Sequence, residues 1–210
     1  EYLKRIIEIE KPDAVLPTLG GQTALNLSIE LEKNNVFKEN NVVLLGASAN
    51  AIEIAENRWK FKEAMEKVGI KTLKATYAKS FDEGVKASKK IGFPLMLRPS
   101  FILGGGGTSV VNNEEDFKLK LSDAFNASPT QEVLIEESVY GWKEFELEVM
   151  RDSDGNGVIV CGIENFDPMG VHTGDSITVA PIQTLSDKEY QIMRDEALLC
   201  LDTIGIATGG

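Results

Sequence analysis

An arginine and a run of glycines stand close together in the middle of the chain. Residues 93–97 are almost wholly apolar, as expected for a strand covered on both faces, and Arg98 follows at its end. Gly104 to Gly107 lack the Cβ atom that would hold the backbone away from a ligand, so their N–H groups can turn towards an oxyanion. The forked guanidinium of Arg98 adds a cation beside them. This combination favours a phosphate-binding loop, although a hairpin with a loose linker would use the same glycines.

A second candidate region follows the predicted strand 132–137. The backbone of Glu137 to Val139 leaves this strand at a connection, where alternate N–H and C=O groups are exposed and could read the edge of an adenine ring. Glu144 comes soon after, at the start of the next strand, and its carboxylate could accept hydrogen bonds from ribose hydroxyls. Two alternatives stay open. Residues 137–139 are equally typical of an ordinary connection between strands, and Glu144 is equally typical of a row of solvent-exposed glutamates.

The roles of Arg58 and His172 each have more than one interpretation. Arg58 lies at the start of a predicted helix, where a surface arginine is the commoner situation. His172 is the only histidine and lies in a loop of glycines and small polar residues. A lone histidine does not form a metal site, and no Ser/His/Asp or Cys/His set can be assembled from the spacing.

Bulk composition limits the class of protein. The formal net charge of −11 argues against a general nucleic-acid or membrane surface, because both partners favour a basic face. No apolar run reaches membrane-spanning length, so we expect a cytoplasmic protein. Cys161 and Cys200 have no CxxC partner, which favours buried reduced thiols.

Three sections of different pattern would position these residues. Residues 1–50 alternate helix and short buried strand, which indicates a parallel Rossmann-like layer. Residues 51–131 predict a small α+β unit that carries the glycine loop, and residues 132–210 predict an antiparallel sheet backed by helices. The predicted helices cover 2–10, 23–34, 48–57, 58–68, 81–91, 114–126 and 186–203, and the predicted strands cover 13–17, 41–46, 74–78, 93–97, 108–111, 132–137, 143–150, 158–163 and 176–180.

Four longer motifs stand out along the chain. They are LPTLGGQTALN at 16–26, LRPSF at 97–101 with its glycine run, EESVYGWKE at 136–144 and VCGIENFDPMGVHTGDSITVAP at 160–181. These motifs closely resemble the large chains of carbamoyl-phosphate synthases, and the match runs along essentially all residues. The residues of the last motif resemble the amino-terminal half of these large chains. That half phosphorylates bicarbonate, whereas the carboxyl-terminal half phosphorylates carbamate.

The resemblance implies a fold and an activity. The fold is α/β and then α+β: an ATP-grasp fold, incomplete at its C-terminus, preceded by the end of a Rossmann-like pre-ATP-grasp domain. The activity is that of an ATP-dependent ligase that phosphorylates bicarbonate to carboxyphosphate. Glutamine-derived ammonia then gives carbamate, on the way to carbamoyl phosphate for arginine and pyrimidine synthesis. The alternatives are another ATP-grasp carboxylate–amine ligase, a biotin-carboxylase-like enzyme, or a non-catalytic ATP-binding module.

Carried over residue by residue, the resemblance also implies an ATP site between the second and third sections. Its members are Arg58 and Arg98 at the phosphates, Gly104 and Gly105 in the loop above them, Glu137 and Val139 at the adenine edge, Glu144 at the ribose, and Gly170, Val171 and His172 at the remaining nucleotide contacts.

The resemblance further implies Mg²⁺ or Mn²⁺, with K⁺ as an additional cation. The family's metal ligands and catalytic arginine would follow Gly210, so no metal ligand and no catalytic residue is assigned. The implied protein partner is a glutaminase small chain. One large chain and one small chain would form a pair, and several such pairs would assemble. The chain opens without methionine inside a predicted helix and closes before its last sheet is complete. We therefore expect a segment of a longer polypeptide that is inactive alone.

Overall fold

The computed structural model describes residues 1–100 and 108–206, and these form two compact units. The first unit contains Glu1–Thr72, Phe145–Asn165 and the described part of Ile177–Gly210. The second contains Leu73–Glu144 and Phe166–Ser176, again as far as described. The stretch 101–107 includes Gly104 and Gly105, so the predicted phosphate loop lies outside the described residues.

Helices and strands follow one another along the chain in the order given next. They are α1 Tyr2–Glu10, β1 Ala14–Val15, α2 Gly21–Lys33, α3 Val36–Asn40, β2 Val43–Leu44, α4 Ala49–Glu56, α5 Arg58–Lys67, β3 Ala75–Ala78, α6 Phe81–Ile91, β4 Leu95–Pro99, β5 Ser109–Val111, α7 Glu114–Ala127, β6 Val133–Glu137, β7 Glu144–Arg151, β8 Gly157–Asn165, β9 Thr178–Val179 and α8 Asp187–Ile204. Two 3₁₀ turns, Pro17–Gly20 and Thr173–Asp175, complete the set for the described residues.

The second unit is built on a four-stranded antiparallel sheet in the order β3-β6-β4-β5. Alternate side chains of β4 point to opposite faces, so Leu95 and Leu97 enter a core that α6 and α7 cover. Phe117 and Leu121 of α7 are fully buried in the same core. One face of the sheet is therefore packed against helices, and the side chains between the core positions lie on its other face.

The position of β6 differs from the sequence-based expectation. The pattern grouped 132–137 with the later strands, but β6 lies between β3 and β4, pairing with both. The physical reason is its alternation, because Val133 and Ile135 are fully buried in the core beneath α6 and α7. The division of the chain into the sections 1–50, 51–131 and 132–210 stays a prediction. The two compact units of the structure have different boundaries from these sections.

The first unit begins with a small parallel layer. Strands β1 and β2 pair in parallel, as predicted for a Rossmann-like section, and Ile7, Val36 and Phe37 form its core. Both strands are shorter than predicted. The connection between β1 and α2 is in part a 3₁₀ turn that begins at Pro17, and α3 was not predicted. Pro17 favours such a turn because its ring fixes φ near the helical value.

Further along the chain, the first unit contains a helical cluster and a sheet. Ala51 of α4, Met65 of α5 and Ile204 of α8 are buried together. The sheet has the order β7-β8-β9, and β8 pairs with β9 in the predicted antiparallel sense. Helix α8 begins with a capping box at Ser186, where the predicted helix 186–203 starts.

Both cysteines are free thiols, half-buried rather than buried as expected. Burial still raises the pKa of the Cys200 thiol. Across the described residues, the helices are too short or too polar to cross a lipid bilayer.

Candidate functional site

The face of the second unit's sheet that the helices do not cover carries Arg98. Because side chains alternate along β4, Arg98 lies on the same face as Met96, opposite the core positions. The register sets Arg98 beside Leu134 of β6 and Met96 beside Glu136. Apolar side chains and one cation thus share a partly open surface.

Arg98 makes an ion pair across this surface. Its Nε donates to Oε1 of Glu136 at 2.5 Å, and the two residues stand diagonally on neighbouring strands. The Arg98 side chain is 40% exposed, whereas that of Glu136 is 12% exposed. The carboxylate is therefore set into the sheet surface and the guanidinium reaches outward. Glu136 was not among the predicted site residues, although alternation along β6 would have put it on this face.

The backbone after β6 exposes one donor of the predicted adenine edge. Glu137 donates its N–H to the carbonyl of Lys74, and Ser138 donates to that of Pro94. The N–H of Val139 donates to no acceptor among the described residues. Val139 follows β6 by two residues, so its N–H is the donor of the predicted adenine edge that has no acceptor within the described residues.

The segment that carries Gly170 is held against the turn after this edge. Gly141 donates its N–H to the carbonyl of Met169 at 2.9 Å, and Met169 donates to that of Trp142 at 2.8 Å. The ring of Tyr140 lies against Gly170, which has a φ of +111°. The tertiary structure thus holds Gly170 against the turn that follows residues 137–139. Nucleotide contacts by Gly170 and Val171 stay a prediction.

His172 follows this segment and is exposed. Its Nδ1 accepts a hydrogen bond from the N–H of Gly174 at 3.1 Å, which caps the 3₁₀ turn Thr173–Asp175. An accepting Nδ1 places the ring proton of the neutral imidazole on Nε2, so the second nitrogen is a donor available to a ligand.

Glu144 and Arg58 complete the predicted residues that the structure describes. Glu144 is half-buried and is the first residue of β7, at the end of the second unit's first stretch. Arg58 is exposed and begins α5, after the N-cap Asn57, whose side chain accepts from the N–H groups of Trp59 and Lys60. Arg58 belongs to the first unit, so it is not among the residues that the second unit gathers.

Two of these groups have the chemistry that a nucleotide requires. The N–H of Val139, which is unpaired within the described residues, and the outward guanidinium of Arg98 suit a base and a phosphate. By contrast, no cluster of three or more His, Cys, Asp or Glu side chains within residues 1–100 and 108–206 could hold a metal ion.

Two family models match the chain. The model described as the carbamoyl phosphate synthase preATP-grasp domain matches residues 1–54. The model described as the carbamoyl-phosphate synthase L chain, ATP binding domain, matches residues 57–210. The chain belongs to the carbamoyl-phosphate synthase large-chain family. The resemblance in the four motifs is thereby confirmed.

Curated members of the family are similar along the whole chain. The chain is 56% identical over 210 residues to the carbamoyl phosphate synthase large chain of Haemophilus ducreyi, and covers 20% of that protein. It is also 56% identical over 210 residues to the N-terminal section of the carbamoyl phosphate synthase large chain of Aquifex aeolicus, of which it covers 38%. The chain therefore spans well under half the length of these members of the carbamoyl-phosphate synthase family.

Solved structures of other enzymes share the fold. Biotin carboxylase of Campylobacter jejuni, in complex with β,γ-ATP, has a TM-score of 0.73 at 22% identity, over 96% of this chain and 45% of that one. The biotin carboxylase domain of Hydrogenobacter thermophilus 2-oxoglutarate carboxylase, in complex with MgADP, ADP and bicarbonate, has a TM-score of 0.74 at 20% identity, over 98% and 45%. This member of the carbamoyl-phosphate synthase family thus has part of the ATP-grasp fold, as expected.

Proposed function

We propose that the full-length protein transfers the γ-phosphoryl group of ATP to bicarbonate. The products are ADP and carboxyphosphate; ammonia attacks the carboxyphosphate carbon, phosphate leaves, and carbamate results. A second ATP would then give carbamoyl phosphate. The observation that carries the proposal is that one compact unit gathers an outward guanidinium at Arg98, an unpaired backbone donor at Val139 and the Gly170 segment. Family membership supports the same activity.

Each described residue has a definite part in this proposal. Arg98 holds phosphate oxygens through its free N–H groups, which neutralises charge and fixes the geometry of the transfer. The backbone of Glu137 and Val139 reads the adenine edge, and the carboxylate of Glu144 accepts from the ribose hydroxyls. Gly170 and Val171 line the nucleotide through their backbone. His172 donates from Nε2 to the nucleotide.

The remaining predicted residues complete the site. Arg58 adds a second cation for the phosphates. Gly104 and Gly105, which lie outside the described residues, add the backbone phosphate contacts that the resemblance implies. Mg²⁺ or Mn²⁺, when bound, supplies further charge neutralisation, and we expect its ligands after Gly210.

The other inputs follow from the family. A glutaminase small chain would supply ammonia, K⁺ would act as an additional cation, and several large-chain and small-chain pairs would assemble in the cytoplasm. Carbamoyl phosphate would serve arginine and pyrimidine synthesis.

Calorimetry and steady-state kinetics on the full-length protein test the proposal. We expect ATP to bind and GTP to bind far more weakly, and we expect ATP turnover to require bicarbonate. Arg98→Ala should lower ATP affinity by about tenfold or more, since a charge-assisted contact with phosphate is lost. Arg5→Ala is the matched control, because Arg5 is an exposed arginine on α1.

Three outcomes would contradict the proposal. Turnover that requires biotin and ignores ammonia would assign the protein to the biotin-carboxylase-like class instead. ATP binding without bicarbonate-dependent turnover would indicate a binding module only. Equal affinities in Arg98→Ala and Arg5→Ala would mean that Arg98 does not contact the phosphates.

A further inference from the structure

We propose that Glu136 is the positioning residue for Arg98, holding its guanidinium so that the edge opposite Nε faces the nucleotide phosphates. This inference rests on the proposed function, because it assigns the way in which that site grips its polyphosphate. Glu136 begins the motif at 136–144, but the resemblance assigned it no role.

The first step concerns where the two side chains lie. Glu136 stands directly opposite Met96 in the β4–β6 register, and Arg98 is two residues further along the same face. Such diagonal neighbours are within reach when one side chain is long. The contact joins Arg98 Nε and Glu136 Oε1 at 2.5 Å.

The second step concerns which atoms the contact uses. A guanidinium presents several N–H groups in a rigid fork, and bidentate binding of phosphate uses two parallel ones. Glu136 engages Nε. Within residues 1–100 and 108–206 the two Nη atoms have no other partner, so the edge that they form is available. The carboxylate at Nε sets the direction of this edge.

The third step concerns the unequal burial of the pair. The Glu136 side chain is 12% exposed and Arg98 is 40% exposed. A carboxylate held in the sheet surface is a firmer anchor than a mobile surface group, and less side-chain freedom is lost when phosphate binds. Its negative charge is offset by the guanidinium, so the polyphosphate meets a cation first.

The experiment measures ligand affinities by calorimetry on the full-length protein and three variants. Glu136→Ala removes the anchor, and Glu136→Gln keeps an oxygen that can accept from Nε. Glu132→Ala is the matched control, because this half-buried carboxylate lies just before β6 and contacts Ser100 and Lys79. Each protein is titrated with Mg-ATP and with adenosine, which lacks phosphates.

The expected result is a selective loss for the phosphorylated ligand. Glu136→Ala should weaken Mg-ATP binding by roughly 10- to 100-fold. This is the range found when a residue that orients a metal-binding side chain is removed, and Glu136 orients Arg98 in the same way. Its affinity for adenosine should stay at the wild-type value. Glu136→Gln should restore most of the Mg-ATP affinity, and Glu132→Ala should bind both ligands as the wild type does. In turnover, Glu136→Ala should raise the KM for ATP more than it lowers kcat.

Different failures point to different errors. Wild-type Mg-ATP affinity in Glu136→Ala would overturn the positioning role while leaving the proposed function intact. An equal loss for adenosine and Mg-ATP would overturn it as well, since it would reveal a purely structural part for Glu136. If the wild-type protein binds neither ligand, the proposed function itself fails.

Discussion

The ring of Tyr140 lies against Gly170, so closely that a Cβ atom on this glycine would stand 2.4 Å from Tyr140 Cδ2. The backbone of Gly170 also has a φ of +111°, which L-residues rarely adopt. Two independent constraints therefore require glycine here. Together with the hydrogen bonds between Met169 and the 141–142 turn, they hold the segment against residues 140–142.

Gly170→Ala should consequently weaken ATP binding and lower the free energy of unfolding by about 2–4 kcal/mol, from backbone strain and overpacking together. Urea denaturation and calorimetry measure the two effects. Gly141→Ala is the control, because Gly141 has a φ of +85° but no atom within 4 Å of its Cβ position. Gly141→Ala introduces the backbone strain without a steric clash, so it should lower the free energy of unfolding by about 1 kcal/mol. Equal losses in both variants would mean that the Tyr140 contact is without consequence.

Gly84 of α6 packs against Leu121 of α7 in the core of the second unit. A Cβ atom on Gly84 would stand 2.6 Å from Leu121 Cδ2, and Leu121 is fully buried. Gly84→Ala should therefore destabilise the fold by about 1–3 kcal/mol, although alanine is the better helix former. Urea denaturation measures this.

A double-mutant cycle provides the control for that packing. Leu121→Ala alone should cost about 2–5 kcal/mol, because it leaves a cavity. In the Leu121→Ala background, Gly84→Ala should cost less than in the wild type, since the space is then free. Strict additivity of the two changes would contradict direct packing between them.

Asp152 in the β7–β8 hairpin should make stability depend on pH. The Asn156 side-chain amide, and then backbone N–H groups, hold the pKa of this carboxyl below its ordinary value. A depressed folded-state pKa contributes stability above the unfolded value of about 3.9, which is lost as pH falls through the lower folded value. An NMR titration of the Asp152 carboxyl should therefore give a midpoint below about 3.9.

Asn156→Ala tests the cause of that shift. The variant removes the largest contribution, so the Asp152 midpoint should move up towards its ordinary value, and acid destabilisation should begin at higher pH. Asp152→Asn should remove this part of the pH dependence altogether. An unchanged midpoint in Asn156→Ala would mean that the amide does not stabilise the carboxylate.

Ser186 should contribute to the stability of α8 through its capping box. Its hydroxyl accepts from the N–H of Glu189, whose carboxylate accepts from the N–H of Ser186 at 2.8 Å. Ser186→Ala should cost about 1 kcal/mol and speed hydrogen exchange in the first turn of α8. Ser153→Ala, in an exposed loop, should change neither measurement. Unaltered exchange in Ser186→Ala would refute the contribution.

Local signals in the sequence predicted many of the elements. Helix α6 occupies Phe81–Ile91 as predicted, because a Ser80 cap and a following glycine mark its two ends. Helix α8 begins after its capping box for the same reason. The apolar run before Arg98 indicated β4. These signals involve neighbours within a few residues, so they can be read without knowing the fold.

Pairing between distant residues was decided only in the tertiary structure. The sequence determined the family and predicted Arg98 as a phosphate ligand, since both inferences depend on residues that stand together in the chain. It did not connect Arg98 to Glu136, place β6 at the centre of the sheet, or set Tyr140 against Gly170. The first two relationships depend on strand register, which arises from burying Val133 and Ile135 under α6 and α7. The third depends on the hydrogen bonds that join Met169 to Gly141 and Trp142. The helix and strand propensities of neighbouring residues do not predict such long-range packing.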